Sequence, residues 1–175
     1  KSAQQQYEVA LAHDVVIISE SIAATDVRFD SEMSLKDVPR PIPSFEPYMY
    51  DDAAWTGKAV YRNFGHTGVG GVQELGLNRP LDSIDVIEID HPLTLGISGK
   101  VKIYDQPYNV SFGVPGNSAS VIATVGEQEK GPVTFVYNEG DPLIDGTIAP
   151  GMRMGLFLGQ AAELSPGANS PTDFD

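Results

Sequence analysis

The 175-residue chain has no cysteine, which excludes disulfide staples, thiolate metal sites and every cysteine nucleophile. Positive charge is also scarce, with 11 Lys and Arg against 24 Asp and Glu and a formal net charge of −13. A surface this acidic repels phosphate backbones and anionic headgroups, so nucleic acid is not expected as a partner. No apolar run reaches the ~18 residues that span a bilayer, so membrane insertion is not expected either. Long helical patterns are few. Absent cysteine, excess carboxylate and abundant glycine and proline together match an extracellular or cell-surface protein.

What is present begins with Asp14-Val15-Val16-Ile17-Ile18-Ser19-Glu20-Ser21. A near-continuous β-branched run closed by small hydroxyls predicts a parallel strand buried on both faces. Ser2 to Ala12 reads as the last turns of a helix, and the tail ends without a closing element. Both ends therefore read as cuts through a longer protein. Ile22 to Leu35 predicts an irregular helix, weakened by Thr25, Asp26, Asp30 and Ser31. Pro39, Pro41 and Pro43 force an extended entry into a second parallel strand over Ile42 to Glu46, and Pro47 to Trp55 reads as a compact aromatic turn or short helix at its carboxyl end.

From Lys58 the pattern changes to short β segments punctuated by glycine. Lys58 to Phe64 and Val72 to Leu77 flank a glycine loop that contains His66. Ser83 to Ile89, Val101 to Tyr104 and Val110 to Val114 alternate polar and apolar residues, so each has a wet face. Ala119 to Val125, Pro132 to Tyr137 and Met152 to Leu158 predict three further strands. Residues 1–164 make one domain with a β-rich segment at 58–115, and 165–175 form a linker or tail.

Three stretches resemble the class I glutamine amidotransferase-like superfamily, in particular its trehalose-utilisation-like branch and related domains of exported bacterial proteins. They are Ala12 to Ser21, Ile42 to Asp52, and Asp90-His91-Pro92-Leu93-Thr94-Leu95-Gly96-Ile97. Val121 to Val125, Pro132 to Tyr137 and Arg153 to Leu158 are similar to later strands of such domains. The resemblance implies an α/β fold, a three-layer flavodoxin-like or amidotransferase-like body with a largely parallel sheet and the β-rich segment added. It also implies a scaffold without the family's catalysis, since the chain has neither the nucleophilic cysteine nor a Gly-x-Ser-x-Gly elbow.

Candidate chemistry collects at strand ends. In open α/β sheets ligands bind at the carboxyl edge, which singles out Ser19 and Ser21 and brings Glu20 toward Glu46. Two carboxylates in one cleft serve as acid and base or hold a cation. Asp90-His91 is the one local acid–base pair, with a simple turn as the competing reading. Tyr48, Tyr50 and Trp55 offer a sugar-stacking surface, against core packing, and Asp51 and Asp52 beside them are further ligand-binding candidates. Glu139, Asp141 and Asp145 are closely spaced enough to suggest Ca2+, but they lack the full calcium-loop pattern and fit a polar hairpin. No cofactor is required, and His66 in its glycine loop is expected to face solvent.

The expected function is a non-catalytic structural, assembly or binding domain of a larger exported protein, partnered by its other domains or by like subunits. The alternative is a carbohydrate-binding or carbohydrate-active domain using the clustered carboxylates.

Overall fold

Gly131–Tyr137 is a strong β-forming run, and it sits near the middle of the architecture. In the computed structural model, which describes residues 1–29, 33–68, 77–125 and 131–158, every residue of this run except Pro132 is buried. The strands in chain order are β1 (Ile42–Ser44), β2 (Phe64–His66), β3 (Ser83–Val86), β4 (Gly99–Lys102), β5 (Ser111–Gly113), β6 (Ser120–Val125), β7 (Gly131–Tyr137) and β8 (Arg153–Gly155). Six of them form one sheet in the order β1-β8-β7-β6-β3-β4, while β2 and β5 pair antiparallel in a second. The 58–115 segment thus supplies two strands of the main sheet and the whole of the small one. Through β5, the small sheet packs against β7.

The three-layer, largely parallel α/β fold expected from the sequence is overturned. Only β1 and β8 pair in parallel within the main sheet, and all its other ladders are antiparallel. Among the described residues there is one α-helix, α1 (Ala3–Leu11). The cause lies in the connections. A parallel sheet needs helical crossovers, whereas the segments after residue 58 alternate at period two and are joined by short glycine and proline turns, as antiparallel strands with one wet face require. Residues 22–29 and 33–35 do not form the irregular helix expected there; 3-10 turns occur at Ala24–Asp26 and Leu35–Asp37.

The leading strand needs a second correction. Its direction is as the sequence suggests: Val16 N donates to Pro41 O and Ile18 N to Pro43 O, both at 3.0 Å, and Phe45 N returns a bond to Ile18 O at 3.0 Å. Its burial is not, because Val15 is 46% and Ile17 61% exposed while Ile18 faces the core. The ribbon is an outer margin of the sheet, beyond β1. Proline explains why it pairs so sparsely. In this register the Val16 carbonyl would accept from residue 43, and Pro43 has no N–H to give.

The core is aromatic where β7, β8 and the 45–55 turn meet. Tyr50 stacks on Trp55, centroids 5.5 Å apart at 28°, and meets Phe135 edge-on at 5.4 Å. Gly155, opposite Phe135 in the ladder, lies so close beneath its ring that a Cβ there would come within 2.4 Å of ring atoms. Arg153 is fully buried and spends its charge on main chain: Nη1 donates to the carbonyls of Arg40, Gly151 and Met152, and Nη2 to those of Lys36 and Val38. It fastens the 36–40 segment onto β8.

At the amino end α1 is closed by a reciprocal cap, in which Ser2 Oγ accepts from Gln5 N and the Gln5 side chain accepts from Ser2 N. Gln6 donates to Asp26 O and accepts from Arg28 N, holding the helix against the 26–28 turn. No helix among the described residues is long and apolar enough to cross a membrane.

Candidate functional site

The ribbon and β1 run side by side and end together, so Ser19-Glu20-Ser21 and Glu46-Pro47-Tyr48 leave the sheet at the same edge. Glu46 caps the 3-10 turn Pro47–Met49: its side chain accepts from Tyr48 N at 2.8 Å, and Pro47 takes the first position of the turn. The cap draws the side chain inward, leaving Glu46 only 7% exposed. Burial pushes its carboxyl up, the Tyr48 amide pulls it back, and nearby Glu20 pushes it up again, to about 7. Near neutral pH Glu46 is therefore both a proton donor and a proton acceptor. Glu20 is thus near enough to act on Glu46 through its charge. Glu20 is partly exposed, and the exposed hydroxyls of Ser19 and Ser21 bond each other at 2.9 Å.

Tyr48 forms one side of the site. Its ring meets His66 at 5.3 Å and Phe64 at 6.1 Å, both edge-on. Burial first, then hydrogen bonding to the Tyr61 side chain, raises its phenol. Tyr61 is half-buried and holds φ at 60°, a left-handed backbone that a bulky residue adopts only when its surroundings require it.

His66 is not in contact with solvent as its glycine-rich context suggested. It is 3% exposed, and its Nδ1 lies 3.2 Å from the buried Ser111 Oγ, its cross-strand partner in the β2–β5 pair. Burial holds its imidazole down at about 4, so it is neutral near pH 7. Neither Ser111 nor Tyr61 is marked by any local pattern. Ser111 is 45 residues from His66 in sequence, and only the cross-strand register brings them together.

The other sequence candidates lie elsewhere. Trp55 is buried against Tyr50 in the core and offers no open face. Asp51 and Asp52 follow the aromatic turn, Asp52 exposed and Asp51 with its carboxyl raised by burial and by Asp52. Asp90 and His91 follow β3, four strand spacings or about 19 Å across the sheet from β1. There His91 Nδ1 accepts from Leu93 N at 3.3 Å and caps the turn Pro92–Thr94; the ring serves backbone geometry instead of pairing with Asp90.

Asp141 and Asp145 belong to a tight loop closed by the Pro142–Ile148 bridge. Asp141 accepts from Asn138 N, and Asp145 pairs with Lys36 and accepts from Thr147. Burial alone would raise the Asp145 carboxyl, but Lys36 and Thr147 hold it at about 2. Glu139 is exposed beside them. Among the described residues no three acidic or histidine side chains gather as a metal ion would need.

No family model matches the chain, and no curated protein does. Among solved structures it is similar to the cytoplasmic protein STM3548 from Salmonella typhimurium. That similarity has a TM-score of 0.49 and 13% identity and covers 92% of this chain and 66% of that one. The chain thus spans just under two thirds of that protein's length.

Proposed function

We propose that the edge where the ribbon and β1 end is a binding site for polyhydroxylated, carbohydrate-class molecules, with Glu46 as proton donor and Glu20 as the second carboxyl group of the site. The observation that carries this reading is a buried carboxyl, raised to about 7, with a second carboxylate beside it. Two acids whose environments differ are how one site holds a donor and an acceptor at the same pH. Half-buried Tyr48 and Tyr61 supply ring faces and phenols of the kind sugars use, and the Ser19 and Ser21 hydroxyls extend the polar rim. His66 and Ser111 support Tyr48 from behind.

The test is a panel of aryl glycosides and free oligosaccharides, followed by release of the aryl group and by calorimetry. The reading expects turnover or saturable binding by the wild type. It expects Glu46→Gln to lose turnover by about 10²-fold or more while remaining folded, the usual weight of a general acid. Glu20→Gln should weaken binding and shift downward the alkaline limb of the pH profile, where Glu46 loses its proton. Wild-type inactivity and absence of binding across the panel would remove the reading. The assembly role expected from composition is favoured by a different observation, the open margin of the sheet.

A further inference from the structure

The ribbon Val15–Ile18 runs parallel to β1 and, among the described residues, is hydrogen-bonded on that side alone. Val16 and Ile18 direct their backbone groups to the segment 41–45. Val15 and Ile17 direct theirs outward, where no hydrogen bond reaches them among the described residues. Their side chains are exposed too, at 46% and 61%. Parallel strands are ordinarily covered, and an apolar edge left open is a template for another strand. Beside this edge lies a cavity of about 260 Å3 between the ribbon, α1 and the 22–27 turn, lined by Val9, Ala10, Ile22 and Val27 among others. The exposed apolar side chains Val9 and Ile22 continue the surface on either side.

We infer that this margin is a docking site for an extended strand of a partner protein, whose apolar side chains enter the cavity and whose basic side chains flank the apolar stretch. An added strand meets both needs of the edge at once: its backbone pairs with the outward groups of Val15 and Ile17, and its alternate side chains fill the space against α1. Charge selects the occupant. Asp14 and Glu20 bracket the apolar run, and Asp26 and Lys1 both line the cavity. A second copy of this chain would bring a further −13 of charge and its own Asp14 and Glu20 to the seam. A lysine- or arginine-flanked strand is attracted where a second copy is repelled. The margin adjoins the Glu46 edge through Glu20, but strand docking does not depend on that edge's reading.

The experiment uses the full chain and a fluorescein-labelled peptide of alternating valine and threonine with two lysines at each end, followed by anisotropy. The expected result is saturable binding that weakens with added salt and falls at least about tenfold when the lysines are replaced by glutamates. Ile17→Pro removes the outward N–H without touching the Val16 and Ile18 bonds to the 41–45 segment, and it should also weaken binding about tenfold or more. Ile17→Lys, with its fold checked by circular dichroism, repeats the test should the proline variant fail to fold. The inference is overturned by no binding at millimolar peptide, by equal binding of the lysine and glutamate peptides, or by unchanged binding in both variants. Concentration-dependent dimerisation of the free chain that Ile17→Lys abolishes would assign the edge to a second copy instead.

Discussion

Glu46 and His66 are buried titratable groups with opposite effects on the pH dependence of folding. The Glu46 carboxyl rises from 4.5 to about 7 on folding, largely through burial. Between these values the folded chain keeps a proton that the unfolded chain releases. Its contribution is therefore full below pH 4.5 and falls, by on the order of 3 kcal/mol, as pH rises to 7. His66 drops from 6.5 to about 4, so its contribution is full above pH 6.5 and is lost over a similar range as pH falls toward 4. The two nearly cancel in the wild type. Urea midpoints measured across pH 4–8 should separate them: relative to wild type, Glu46→Gln gains stability with rising pH and His66→Gln loses it. Parallel profiles for both variants would contradict the burial assigned to these side chains.

Arg153 is also testable as a single residue. Its guanidinium donates to five carbonyls, and removal leaves buried acceptors behind. Arg153→Met should cost about 3–5 kcal/mol in denaturant unfolding, far more than an exposed arginine would.

At the scale of elements, two prolines shape the margin of the sheet. Pro43→Ala restores the donor that the Val16 carbonyl lacks. The new hydrogen bond, worth about 1 kcal/mol, is offset by the freer unfolded chain, so stability should change by less than about 1 kcal/mol. Hydrogen exchange should nonetheless show a protected amide at position 43. A fast-exchanging amide there would contradict the register given for ribbon and β1. In the neighbouring ladder, Gly155→Ala pushes a methyl group into the Phe135 ring and should destabilise the fold by about 1–3 kcal/mol.

These elements also show how far the sequence could be read. The parallel course of the ribbon along β1 and the β segments at 83–86, 111–113, 120–125, 131–137 and 153–155 follow from local pattern. The exposure of Val15 and Ile17 does not follow from the sequence, because a continuous apolar run gives no sign of whether a neighbour is present on its second side. His66 was misplaced for a similar reason. A glycine-rich context suggests an exposed loop, while its burial comes from cross-strand pairing with Ser111, which depends on register and leaves no local trace. Trp55 and His91 were ambiguous between site and scaffold, and only packing decides for the core and for the turn.

At the scale of the whole molecule, a seam divides the sheet into two regimes. On one side the ribbon, β1 and β8 run parallel; on the other β7, β6, β3 and β4 run antiparallel. The parallel side carries the carboxyl edge with Glu20 and Glu46 and the unpaired margin at Ile17, so both proposed sites belong to it. With a net charge of −13, the molecule favours cationic partners at any open surface and keeps its own copies apart at low salt.

The proposed site requires that folding bring Glu20 and Glu46 to one edge and bury Glu46 there as a neutral-range acid. Its most direct test is an NMR titration of the Glu46 side-chain carboxyl carbon in the wild type and in Glu20→Gln. The expected Glu46 midpoint lies near 7 and moves downward in Glu20→Gln. A midpoint near 4.5 that ignores Glu20 would contradict it.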